Sequence, residues 1–209
     1  MLWRTPAAKR RPPGFIEPCI PTRVSKPPVG PQWIHEIKHD DYRLIVRKVG
    51  DRVRLFTRRG YDWTERYPRI REALAGLRAA SVTIDGEAVF CGPDGVAVFD
   101  RLHSRAYDDQ VILYAFDLLE LDGEDFRPRP LEERKAALAK LLKNAPQGVH
   151  LVEHMAGDGA TIFEHACKLG CEGIVSKHRE HPYRSGPSKA WLKVKNTAAP
   201  GVLRFEDRT

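Results

Sequence analysis

The sequence reads WIHEIKHDDYR over residues 33–43, and this stretch sets the pattern that the rest of the chain follows. Apolar and polar residues alternate as far as Lys38, and a period of two is typical of a β-strand. Ile34, Glu36 and Lys38 then lie on one face of the predicted strand. A carboxylate and a lysine side by side on that face make the strand a candidate for chemistry.

The residues after this strand predict antiparallel β-structure. Residues 42–49 and 52–57 are two β-like runs joined by Gly50-Asp51, and a glycine at the first turn position suits a tight hairpin. Helices are predicted at 70–77, 130–142 and 160–169. Further strands are predicted at 81–84, 87–90, 96–99, 111–119, 149–153, 173–177 and 191–195. Hairpins mixed with isolated helices indicate an α+β fold, with largely antiparallel sheets flanked by helices, and not a doubly wound parallel sheet.

The composition divides the chain into three parts. The first 31 residues contain eight prolines, which exclude a regular helix or a central strand there. Residues 1–13 are expected to form a flexible, basic and proline-rich lead-in. We expect residues 14–197 to form one domain and residues 198–209 to form a short tail.

The overall composition favours a globular protein with a polyanionic partner. The chain has 209 residues, 42% of them hydrophobic, which is enough to build a core. The formal net charge of +7 favours nucleic acid, because lysines and arginines that neutralise phosphates release counterions. The sequence has no apolar run of roughly 18 residues, and its N-terminus lacks the apolar stretch of a signal peptide. We therefore expect a cytoplasmic protein with no membrane contact.

Several charged residues interrupt apolar or strand-like surroundings. These are Asp85-Gly86-Glu87 between two predicted strands, Asp117 inside an apolar strand, Glu172 and Lys177 around another, and Lys193 with Lys195 on the face of Trp191. Each alone is explained by a turn, a strand end or a surface lysine. The sequence has no GxGxxG or GxxxxGK[ST] loop, so nucleotide binding of those two kinds is disfavoured.

Taken in order, six segments resemble the covalent nucleotidyltransferase family of DNA ligases, RNA ligases and mRNA capping enzymes. Residues 36–43 resemble the nucleophile motif ExKxDGxR, with Lys38 as the nucleophile. The other segments are residues 57–60 (TRRG), 85–87 (DGE), 114–117 (YAFD), 172–177 (EGIVSK) and 191–195 (WLKVK). Six segments in the right order are far more specific than one. The match spans residues 14–197, and the sequence around the motifs most resembles the bacterial LigD-type ligases of end-joining repair.

The resemblance implies an ATP-dependent DNA ligase. Lys38 would attack the α-phosphate of ATP, and AMP would then pass to the 5′-phosphate of nicked double-stranded DNA for sealing in DNA repair. A free lysine has a pKa near ~10.4 and is mostly protonated at neutral pH. Positive charge from Lys193, Lys195, Arg43 or a divalent metal lowers that pKa. End-joining repair proteins that hold DNA are possible partners, and we expect a monomer near the nucleoid.

The resemblance also assigns the contacts to ATP and metal. Glu36 would read the adenine amino group, Phe116 would stack on the base and Glu87 would hold the ribose. Glu172, together with Glu87, would hold Mg²⁺ or Mn²⁺, because carboxylates are the natural ligands of hard cations. The remaining ATP-binding residues would be Ile37, then Arg43 and Arg58 at the ribose and phosphates, and Lys177, Lys193 and Lys195 at the α-phosphate.

The sequence departs from the family pattern in two places. Asp41 stands where the motif has glycine, and if the backbone needs a positive φ there, aspartate is among the few tolerated replacements. Fourteen residues follow Lys195, which is too few for a five-stranded barrel, so we expect no OB-fold domain in this sequence. These departures leave two alternatives: a degenerate nucleotidyltransferase that only binds nucleic acid, or an RNA ligase.

Overall fold

A computed structural model of the chain describes residues 11–39, 41–92 and 99–199. It is an α+β fold, as the sequence predicts. The elements in chain order are β1 (Cys19–Arg23), β2 (Trp33–Ile37), β3 (Tyr42–Val49), β4 (Arg52–Thr57), α1 (Pro68–Ala75), β5 (Ser81–Val89), α2 (Phe99–Ser104), β6 (Ile112–Leu121), β7 (Glu124–Asp125), α3 (Leu131–Leu142), β8 (Val149–Leu151), α4 (Gly159–Lys168), β9 (Gly173–His178) and β10 (Gly186–Lys195).

The strands form two sheets. One has four strands in the order β1-β10-β9-β2, and the other has the order β4-β3-β5-β6-β7 with β8 beside β6. Two pairs, β1 with β10 and β6 with β8, are parallel, and the other strand pairs are antiparallel. The prediction of largely antiparallel sheets is therefore confirmed. Within the described residues, these two sheets contain all the named strands.

Local sequence signals explain several of these elements. Gly50 has a φ of +55° in the two-residue turn between β3 and β4, as the hairpin prediction required. Helix α3 starts just after Pro130, and Glu132 and Glu133 lie in its first turn, where acidic residues favour a helix. Asp158 caps α4 by accepting a hydrogen bond of 2.9 Å from the backbone N–H of Thr161.

One strand prediction was wrong, one strand was not predicted, and one prediction lies mostly outside the described residues. Residues 81–89 form one continuous strand, β5, whereas the sequence predicted a break at Asp85-Gly86-Glu87. Strand β1 forms in the proline-rich region, where it is an edge strand and so tolerates the missing N–H of Pro21. The predicted strand 96–99 lies mostly outside the described residues, and Phe99 begins α2.

The main core packs the six-stranded sheet against α1 and α3. A second apolar cluster contacts both sheets and includes Cys19, Phe56, Leu119 and Trp191. It joins β1 and β10 of the smaller sheet to β4 and β6 of the larger one. None of the helices in the described part of the chain has the length and apolar character needed to span a membrane.

A buried ion pair fixes α3 on β6. Arg134 of α3 and Asp117 of β6 both have side chains that are 0% exposed. Arg134 donates from Nε and Nη2 to the two Asp117 oxygens at 2.7 and 2.8 Å, and its Nη1 donates to two backbone carbonyls. Asp117, which interrupts an apolar run in the sequence, is therefore a packing residue with a satisfied buried charge.

Candidate active site

A cleft of about 570 Å³ is lined by residues from both sheets. Ten of the eleven site residues predicted from the sequence line it. The eleventh, Glu172, adjoins the cleft through ion pairs to two of the others. The ten are Glu36, Ile37, Lys38, Arg43, Arg58, Glu87, Phe116, Lys177, Lys193 and Lys195.

One face of the four-stranded sheet lines the cleft along its length. In the β9–β10 pair, Lys177 lies opposite Trp191 and Gly173 lies opposite Lys195, with Lys193 between them. Opposite residues share a face of the sheet, and two residues along a strand span about 7 Å. The three lysines therefore follow one another along the cleft, from an aromatic end near Trp191 to a lysine-rich end near Lys195.

The lysine-rich end surrounds one buried carboxylate with cations. Lys38 directly follows β2, and its Nζ contacts Glu172 Oε2, while Glu172 Oε1 lies 2.9 Å from Lys195 Nζ. The pKa of Lys193 is lowered by burial and by the charges of Lys38, Lys195 and Arg58. Three cations and one carboxylate act on Lys193, and this excess of positive charge suits a phosphate ligand.

The aromatic end contains a second buried carboxylate. Glu36 is 3% exposed, and its Oε1 and Oε2 lie 2.5 Å from Lys135 Nζ and 2.6 Å from Lys177 Nζ. Burial alone would raise the pKa of Glu36, but the charges and hydrogen bonds of the two lysines outweigh it and lower that pKa. The Lys177 ammonium lies 4.3 Å from the ring centre of Phe116 and 4.0 Å from that of Trp191.

Lys177, which was expected to contact the α-phosphate, lies at the aromatic end of the cleft. The Lys177 side chain is 2% exposed, and its ammonium pairs with Glu36 beside two aromatic rings. Lys177 lies opposite Trp191, which is four residues, or about 13 Å, along β10 from Lys195. Burial lowers the pKa of Lys177, partly offset by Glu36. Lys177 therefore belongs to the aromatic end of the cleft.

Arg43 lines the cleft and is paired there with a buried carboxylate. Its Nε and Nη2 donate to the buried carboxylate of Asp85 at 2.9 and 2.7 Å, and Asp85 also accepts a 2.5 Å hydrogen bond from the Tyr183 hydroxyl. The guanidinium lies 5.2 Å from the Phe116 ring centre and 5.6 Å from that of Trp191. Burial disfavours its charge, but Asp85 outweighs burial and raises the pKa of Arg43. Arg43 thus supports the aromatic wall of the cleft.

The two glutamates proposed as metal ligands have different surroundings. Burial raises the pKa of Glu87 to about 8, against the lowering effects of Arg43 and Lys38. Glu172 is held between Lys38 and Lys195. No group of three or more His, Cys, Asp or Glu side chains suited to a metal ion occurs in residues 11–39, 41–92 and 99–199. Glu172 and Glu87 are each of the ligand type that Mg²⁺ prefers, and Mg²⁺ usually keeps several waters and takes other oxygens from bound phosphates.

Asp41 lines the cleft. The φ angle at position 41 depends on residue 40, which lies outside the described residues. The Asp41 charge acts on the cleft, because it contributes to the raised pKa of Glu87.

The sequence motifs did not identify Lys135. Its side chain is 4% exposed, and it donates to Glu36 from outside the motif-bearing segments. One feature of the sequence could have identified it. Lys135 lies four residues after Leu131 and three before Leu138, which places it on the apolar face of α3. A lysine on such a face needs a buried acceptor.

Comparison with known protein families gives a consistent result. The family model described as the ATP dependent DNA ligase domain matches residues 23–195. The multifunctional non-homologous end joining protein LigD of Pseudomonas aeruginosa is 40% identical over 187 residues, which cover 88% of this chain and 22% of LigD. The chain thus spans about a fifth of the length of the LigD relatives that it matches.

Two solved structures share the fold. The ligase domain of LigD from M. tuberculosis has a TM-score of 0.75 and 35% identity, with 85% of this chain and 60% of that chain covered. Mycobacterial DNA ligase D complexed with ATP and MES also has a TM-score of 0.75, with 34% identity and coverage of 86% and 60%.

Proposed function

This chain belongs to the ATP-dependent DNA ligase domain family, and from that membership we propose that it joins nicks in DNA through an AMP adduct on Lys38. The placement of Lys38 carries the proposal. Its ammonium contacts a buried carboxylate among further cations, at the lysine-rich end of a cleft whose other end is aromatic. ATP is complementary to this cleft, because its phosphates can pair with the lysines and its base can stack on the aromatic rings. The mycobacterial relative solved with ATP supports this choice of nucleotide.

In the first step, Lys38 Nζ attacks the α-phosphorus of ATP. A phosphorus–nitrogen bond forms, the bond to the oxygen that bridges the α- and β-phosphates breaks, and pyrophosphate leaves with that electron pair. Two protons leave the ammonium as the phosphorus–nitrogen bond forms and pass to water and to the departing pyrophosphate. Glu172 Oε2, which contacts Nζ, orients the amine. Lys193 and Lys195 offset the charge that develops on the α-phosphate oxygens.

The adenosine part of ATP occupies the aromatic end. Phe116 stacks on the base, and Glu36 accepts a hydrogen bond from the adenine amino group. Lys177 acts here through Glu36 rather than at the α-phosphate. The ribose lies between the two ends, near Ile37, Arg58 and Glu87. Arg43 lines this part of the cleft and lies against the rings of Phe116 and Trp191.

Glu172, with Glu87 as the second ligand, would hold Mg²⁺ or Mn²⁺. The ion would offset the negative charge of the triphosphate and of the departing pyrophosphate.

The later steps use nicked double-stranded DNA. AMP passes from Lys38 to the 5′-phosphate, and the 3′-hydroxyl then attacks that phosphate and releases AMP. The net charge of +7 favours contacts with the DNA backbone. We assign these steps to a catalytic domain over residues 14–197, acting as a monomer in DNA repair. Proteins that hold DNA ends would assist, as the end-joining names of the LigD relatives suggest.

Replacing Asp41 with glycine is expected to raise the initial rate of Lys38 adenylation several-fold. Asp41 puts a negative charge on the lining of a cleft that must receive a triphosphate, and glycine removes that charge. The measurement is the rate of adduct formation by intact-protein mass spectrometry across a Mg²⁺ titration. A lower rate in the Asp41→Gly protein at every metal concentration would show that this carboxylate assists the reaction.

Sealing of a labelled nicked duplex tests the proposed function. With ATP and Mg²⁺, the chain is expected to seal pre-adenylated nicks faster than ordinary ones, and a DNA-holding partner should improve both. The logarithm of the DNA association constant should fall by about 0.9 per phosphate contact for each tenfold increase in salt concentration. DNA binding without an adduct or sealing would contradict the proposal and identify a nucleic-acid-binding module. Sealing confined to nicked RNA would identify an RNA ligase.

A further inference from the structure

Lys135 occupies an unusual position behind the aromatic end of the cleft. An ammonium group has three N–H donors. Those of Lys135 face Glu36 Oε1 at 2.5 Å, the Val152 carbonyl at 3.3 Å and the Phe116 carbonyl at 3.4 Å. All three acceptors belong to residues that line the cleft, whereas Lys135 itself does not. Lys135 therefore acts on the cleft only through these neighbours.

The three neighbours come from different parts of the fold. Glu36 lies on β2 of the smaller sheet, Phe116 lies on β6 of the larger sheet, and Val152 follows β8. Lys135 extends from α3, which packs on β6 and β8. One ammonium group thus sets the relative position of the groups that would stack on a base and read its edge.

The carboxylate of Glu36 is fixed on both oxygens. Lys135 holds Oε1, and Lys177 holds Oε2 at 2.6 Å. An ionised carboxylate accepts hydrogen bonds and donates none. At position 6 of the purine ring, adenine carries an amino group, which donates, and guanine carries a carbonyl oxygen, which accepts. A fixed carboxylate therefore attracts adenine at this edge and repels guanine.

We propose that Lys135 is a positioning residue for base selection: it holds the Glu36 carboxylate from behind, so that the cleft takes adenine and rejects guanine. This proposal rests on the proposed binding of ATP in the cleft. A purely structural lysine would contribute to stability and leave the choice of base unchanged.

The chain provides a matched control in Lys48. Lys48 is also buried, at 6% exposure, and its ammonium donates to the backbone carbonyl of Leu77. It does not line the cleft. Lys48→Met and Lys135→Met remove the same charge from two buried sites, and only the second is next to Glu36.

The experiment measures equilibrium dissociation constants for ATP and GTP with Mg²⁺ by titration calorimetry, for the whole chain and its variants. Lys135→Met is expected to lower the preference for ATP over GTP by about tenfold, mainly through weaker ATP binding, since a lost buried partner commonly costs that much in discrimination. Lys48→Met should lower the melting temperature and leave the preference unchanged. Lys135→Arg, which keeps the charge, should retain most of the preference.

Two results would overturn the assignment. One is an unchanged preference in a folded Lys135→Met protein, as judged by circular dichroism. The other is an equal loss of preference in Lys48→Met. If Lys135→Met does not fold, Lys135→Gln replaces it, and an unchanged preference in that variant would overturn the proposal. This experiment measures binding and not adduct formation. A chain that prefers ATP but forms no adduct would contradict the proposed reaction and still support the role of Lys135.

Discussion

Replacing Lys38 with alanine is expected to abolish both AMP adduct formation and the sealing of ordinary nicks. Lys38 supplies the nitrogen atom that would bond to phosphorus, and neither Lys193 nor Lys195 replaces it at the contact with Glu172 Oε2. The variant should still seal a nick whose 5′-phosphate already carries AMP, because that step no longer needs the lysine as nucleophile. Gel analysis of ordinary and pre-adenylated nicked duplexes measures both steps.

Lys140→Ala is the matched control for this variant. Lys140 lies on the exposed side of α3 and does not line the cleft. It should behave like the unaltered chain on both substrates. An adduct that persists in the Lys38→Ala protein would assign the nucleophile to another residue, and loss of sealing on both substrates would show that Lys38 does more than take up AMP.

Replacing Asp117 with alanine is expected to destabilise the fold by about 3–5 kcal/mol, because it leaves a buried charge without its partner. Arg134 is 0% exposed, and its Nε and Nη2 both donate to Asp117. Urea denaturation followed by circular dichroism gives the change in the free energy of unfolding.

The exposed pair of Asp125 and Arg127 is the comparison for this measurement. The two side chains form the same fork of hydrogen bonds, at 2.8 and 2.7 Å, but they are 47% and 42% exposed. Asp125→Ala should therefore cost less than about 1 kcal/mol, as exposed ion pairs usually do. Equal losses in the two variants would show that burial of the Asp117 pair is not what makes it important.

The sequence predicted local structure well where one signal dominated. Alternation identified β2, and a glycine between two β-like runs identified the β3–β4 hairpin. It misjudged Gly86, which resembled a turn glycine but lies inside β5. There, a Cβ atom would come within 2.8 Å of the Tyr114 carbonyl oxygen and of Leu113 Cδ1. Close approach of a neighbouring strand and a reversal of the chain both require glycine, and the sequence alone does not distinguish them.

The motifs identified the residues of the cleft but not how these residues pair. Lys177 and Arg43 carry charges that suggest phosphate contacts, yet both are held by buried carboxylates, Glu36 and Asp85. Those pairings join strands that are far apart in the sequence and depend on the register between strands. Lys135 was missed for the same reason, since its acceptor Glu36 lies 99 residues away.

The most direct test of the central claim is to locate AMP on the unaltered chain. The protein is incubated with ATP and Mg²⁺, digested, and its peptides are sequenced by tandem mass spectrometry under conditions that preserve a phosphorus–nitrogen bond. The account predicts one modified peptide, with AMP on Lys38 and released when pyrophosphate is added. AMP on Lys193, Lys195 or any other residue, or no modified peptide from a folded protein that binds ATP, would contradict it.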